Sequence, residues 1–127
     1  MQEPYLFEYA VIRVVPRVER EEFINIGVII YCPKQKFLKV RFLLDEARIS
    51  AFAPELDIDC LKDNINSFER ICHGDKHAGP IARLDIASRF RWLTATRSTV
   101  VQSSKVHPGL CLDADATLNK LFEQLVG

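Results

Sequence analysis

Three groups of residues in this 127-residue chain have the types that binding or catalysis requires. The first is the run RFRWLTATRSTVVQSSKVHPG. There Arg91, Arg97, Lys105 and His107 stand among Thr94, Thr96, Ser98, Thr99, Gln102, Ser103 and Ser104. Arginine forks and hydroxyls suit phosphate or carboxylate; the plainer reading is a loop and edge strand with solvated bases. The second is a strand face. Alternation would set Arg13, Asn25, Gly27 and Arg41 among Phe7, Tyr9 and Tyr31, a surface able to stack bases and hold phosphates. The zero net charge and the lack of an RNP-like run weigh against that. A face covered by helices, with the aromatics as core and the arginines emerging at an edge, is the favoured alternative. The third group is Cys72, His73 and His77 with Cys60. A structural zinc site wants short ligand pairs, whereas Cys60 and Cys72 lie far apart and Cys72 falls in an apolar stripe, so neither a metal nor a cofactor is expected.

Covalent catalysis finds no support, because no serine or cysteine stands in a GxSxG-type elbow and no glycine-rich phosphate loop is present. Glu19, Glu21 and Glu22 could act as acid or base, yet beside Arg17 and Arg20 they read as solvated ion pairs. Gly27, inside a strand, marks a bulge or a close approach, the bulge being the simpler reading. The expectation is a non-catalytic module that engages a partner protein or an anionic ligand through Arg91, Arg97, Ser98, Thr99, Gln102 and His107. The competing expectation is an enzyme of undetected type acting on a phosphorylated or nucleic-acid substrate, with Arg13 and Arg41 assisting.

These residues need a scaffold, and the pattern supplies one. YLFEYAVIRVV, residues 5–15, is rich in aromatic and β-branched types and ends at Pro16, as a strand does. Arg17 to Glu22 is a turn, and Phe23 to Tyr31 a second strand closing a hairpin. FLKVRFLL, residues 37–44, alternates: Leu38, Val40, Phe42 and Leu44 face one way, Lys39 and Arg41 the other. Short connections favour an antiparallel meander. Asp45 caps a short helix running to Ala53. Ile58, Leu61, Ile65, Phe68 and Cys72 line one face of a longer helix. Residues 73–80, with two glycines and a proline, form a loop. Ala82, Ile86, Phe90 and Leu93 would be the buried side of a third helix. Residues 98–112 give a short strand, a turn at His107, Pro108 and Gly109, and an apolar stretch. A last helix starts near Asp113 or Asp115. The fold class is α+β, an antiparallel β-meander of three to five strands packed with about four α-helices, in one domain, residues 1–127.

Composition agrees, with 48% hydrophobic and 27% charged residues, as in ordinary globular proteins. The longest apolar run, Phe23 to Cys32, is interrupted by Asn25 and Gly27 and is too short to span a bilayer as a helix. No membrane role is expected. MQEPYLFEYA lacks the basic opening and apolar stretch of a secretory signal, and four irregularly spaced cysteines read as small buried residues of a reducing cytoplasm. Residues 45–75 carry eight acids against three bases, and residues 83–107 five bases against one acid. That leaves room for one anion site while making broad coating of nucleic acid unlikely. A homodimer through an unprotected sheet edge stays open.

Two stretches, VIRVVPRVEREEFINIGVIIYCP (residues 11–33) and FRWLTATRSTVVQSSKVHPGLCLD (residues 90–113), resemble the bacterial family DUF3037, and the likeness extends through the terminal LNKLFEQLV. The resemblance implies no activity, since that family's function is unassigned. Its association with neighbouring genes for HipA-like kinases implies a partner or antitoxin-like role, with no catalytic residue to carry over.

Overall fold

The computed structural model describes residues 3–95 and 100–127. Strands β1 (Tyr5–Val14), β2 (Ile24–Cys32) and β3 (Phe37–Phe42) form the expected meander. Helices α1 (Glu46–Phe52), α2 (Ile58–His73) and α3 (Ile86–Leu93) follow, then strands β4 (Val101–Ser103) and β5 (His107–Cys111), and helix α4 (Ala114–Leu125). The sheet is antiparallel, in the order β3-β2-β1, and β4 and β5 share the remaining edge of β1. Ile12 to Val14 pair with β4, and Tyr5 to Tyr9 pair with β5.

Both faces of the sheet are covered, which explains the β2 sequence. INIGVIIYC shows no polar alternation because its side chains enter two cores. Ile29 and Tyr31 join Ala10, Ile12, Val14, Val40, Ile49, Leu61, Ile65, Cys72, Phe90 and Leu93 under α1, α2 and α3. Val28, Ile30 and Cys32 join Phe7, Cys111, Leu118 and Phe122 under α4. Lys39 and Arg41, on the polar side of β3, meet α4: Lys39 pairs with Asp115 at 3.2 Å, and Arg41 bonds Asn119 at 2.8 Å.

Each α-helix starts on an aspartate. The side chains of Asp45, Asp57, Asp85 and Asp113 each accept from a backbone N–H of the first turn, satisfying donors that the helix leaves unpaired. α2 ends at Gly74 (φ 72°), whose left-handed conformation lets Gly74 and Asp75 bond back to Ile71 and Arg70.

Three expectations change. Ala82 does not belong to α3, because Ile81–Arg83 is a separate 3-10 turn and Asp85 caps the helix afresh; Ala82 still packs in the first core. His107, Pro108 and Gly109 are strand, not turn. Proline is tolerated there because β5 is an edge strand, with β1 on one side only. Cys60 is exposed, whereas Cys32, Cys72 and Cys111 are buried, and all four are free. No described helix is long and apolar enough to cross a membrane.

Candidate binding surfaces

Pairing across the β1 edges brings together residues chosen from distant parts of the sequence. Arg13 lies opposite Asn25 on β2 and opposite Gln102 on β4, so the three form one row across the sheet. Directly opposed residues share a face, and this row lies on the α4 side, beyond the helix end, where Asn25 Nδ2 donates to the Leu125 carbonyl at 3.2 Å. The Arg13 guanidinium sits 4.0 Å over the Phe23 ring. Burial pulls the Arg13 pKa down, and its Nε, like Asn25 Oδ1, is buried without a hydrogen-bond partner. A recess of about 400 Å³ opens above, lined by Arg13, Val15, Glu21, Phe23 and Gln102.

The other half of β1 carries a different surface. Leu6 pairs with Leu110 and Glu8 with Pro108. Leu6 is 54% exposed, Leu110 67% and Leu112 56%. Leu112 follows β5 in a bend, and alternation along the strand sets Leu110 on the same face as Leu6. This is the face that α3 covers further along, and α3 stops short of it. Arg91, near the end of α3, reaches across to Glu8 in a two-pronged ion pair, with Nη2 to Oε1 at 2.9 Å. That hydrogen bond, outweighing partial burial, holds the Glu8 carboxyl below its usual range. His107 lies on the opposite face, its ring 5.3 Å from that of Tyr9.

Residues 9–126 match the model of one protein family, described as "Protein of unknown function (DUF3037)", a span that takes in β2 to β5 and all four helices. The chain belongs to the DUF3037 family. No curated protein and no solved structure matches it.

The remaining site candidates of this DUF3037 chain have structural neighbours. Arg41, besides bonding Asn119, lies 4.2 Å over the Phe122 ring, so it fastens α4 to β3. Gly27 faces the first core opposite Ile12, beside the register shift at Ile12 and Arg13. A Cβ there would come within 2.5 Å of Phe42 Cδ1, so both a bulge and a close approach, by a ring, account for the glycine. Tyr31 points to the face opposite Phe7 and Tyr9 and packs on Phe90 at 5.2 Å, so the expected aromatic cluster is split between the two cores. Arg97, Ser98 and Thr99 lie outside the described residues. Among the described residues no group of three or more metal-ligating side chains forms.

One further surface lies outside the candidates that the sequence singles out. Residues 73–80, read as loop, join the 3-10 turn and α3 in a bowl lined by Gly74, Lys76, His77, Ala82, Arg83 and Arg89. Its sequence signal was the basic residues spread over positions 76–89, which only the path of the loop brings together.

Proposed function

We propose that this DUF3037 protein is a non-catalytic interaction module that holds a partner protein on the uncovered end of its sheet, over Leu6, Leu110 and Leu112. The carrying observation is the exposed cross-strand pair of Leu6 and Leu110 on an edge strand. Neighbouring exposed leucines on a sheet edge, rimmed by polar groups, are the kind of surface on which partners dock. The frame here is the Glu8–Arg91 ion pair. Pro108 withholds one N–H from the β5 edge, which disfavours a continuous added strand. Side-chain burial is therefore the main source of affinity, and Arg91 contributes orientation. A HipA-like kinase, the partner that the family resemblance implies, would be a protein partner of this kind. The free, mostly buried cysteines fit a reducing cytoplasm.

The test is capture from native lysate with wild-type protein and with Leu110→Lys, both shown to be folded by their melting temperatures. The expected result is a partner retained by wild type and lost with Leu110→Lys. Capture that survives this substitution would sink the proposal. So would a wild-type dimer in sedimentation that Leu110→Lys turns into monomer, since the patch would then be occupied by a second copy of the chain.

A further inference from the structure

The bowl behind α2 collects positive charge without a carboxylate in its lining. Arg83 Nε donates to the Lys76 carbonyl at 3.3 Å, which holds the loop against the 3-10 turn. Arg89 Nη1 donates to the Leu84 carbonyl at 2.9 Å. Gly74 leaves the space this needs, since a Cβ there would stand 2.9 Å from Arg89 Nη1. Arg89 Nε is buried with no acceptor. Two acids stand beside the bowl without lining it, and Asp85 acts on Arg89 through its charge. Asp75 accepts from Arg70 Nε at 2.8 Å and from the His77 N–H at 3.0 Å, while Asp85 accepts from Ser88 N at 2.9 Å as the cap of α3. The carbonyl end of α2 accounts for one cation near Gly74. It leaves Lys76, Arg83 and His77 unexplained. A concave surface lined by Lys76, Arg83 and Arg89 raises the local concentration of anions.

We propose that the bowl formed by Lys76, His77, Arg83 and Arg89 binds the phosphate group of a small phosphorylated molecule. Two arginine forks and a lysine point charge match the several oxygens of a phosphate better than the two of a carboxylate. The bowl is open, with about 510 Å³ of space, enough room for a small ligand. A polyanion is disfavoured because the acid-rich segment 45–75 leads directly into the bowl. The site is separate from the Leu6–Leu110 patch, so either assignment can fail alone.

Amide NMR titrations with inorganic phosphate and with ribose 5-phosphate test it, against sodium chloride at equal ionic strength. The expected result is saturable shifts at Gly74, His77, Arg83 and Arg89 for both phosphates, with Kd below about 1 mM. Arg83→Gln, at an exposed position, should weaken both by about tenfold or more, and Arg89→Gln likewise where it folds. Lys120→Gln, on α4 across the sheet, should change neither. Shifts that stay linear, that sodium chloride reproduces, or that persist at wild-type strength in Arg83→Gln overturn the proposal. So does binding of inorganic phosphate with exclusion of the ester.

Discussion

Arg13 and Arg91 have the same side chain in opposite circumstances. Arg13 is half-buried over Phe23, with its Nε sealed from any acceptor, whereas Arg91 lies in the open and grips Glu8 with both nitrogens. The Glu8–Arg91 pair has a definite pH signature. The Glu8 carboxyl is held below 4.5 in the folded chain, so the pair stabilises the fold above the unfolded-state pKa. That contribution disappears as pH falls through the folded value. Solvent around Arg91 keeps it small, about 0.2–1 kcal/mol. Arg91→Gln should therefore lower stability by that amount at pH 7, and the difference between the two denaturation curves should shrink as pH falls through the lowered Glu8 pKa. A deficit of equal size at pH 7 and pH 3 would show that Arg91 acts through packing and not through Glu8.

At the scale of elements, α4 is the one helix among the described residues over the second core, and Leu118 and Ala114 are fully buried beneath it. Leu118→Ala should cost about 2–5 kcal/mol in chemical denaturation. Hydrogen exchange should quicken in α4 and along β3 before α2 changes; uniform quickening would mean that the two cores open as one. The meander and the helices were legible in sequence because their signals are local. Leu38, Val40 and Phe42 alternate, Ile58 to Cys72 repeat at helical spacing, and an aspartate stands ahead of each helix. β4 and β5 were harder. A three-residue strand has no period, and Pro108 with Gly109 carries the composition of a turn. Their pairing with β1 is a long-range choice, so the row of Arg13, Asn25 and Gln102 was invisible even though each member had been singled out. The basic bowl escaped for a similar reason, since nothing local says that Lys76 and Arg89 face each other.

For the whole molecule, the cysteines report how closed the two cores are. Burial pushes the Cys72 thiol up to about 12, and burial likewise raises Cys111. Cys32 is fully buried, and Cys60 alone of the four is exposed. Iodoacetamide at pH 8 should thus label Cys60 in the native protein, with the other three reacting only in denaturant, as mass spectrometry of the digested chain can read. Early labelling at Cys32 or Cys111 would mean that the second core opens on its own. The shared edge of β1 bears on how such a chain is made. Tyr5 cannot find Cys111, nor can Val28 and Ile30 find α4, until residues 111–125 have left the ribosome. A nascent chain therefore carries its meander with one oily side bare until α4 emerges, a period in which chaperone binding protects it best.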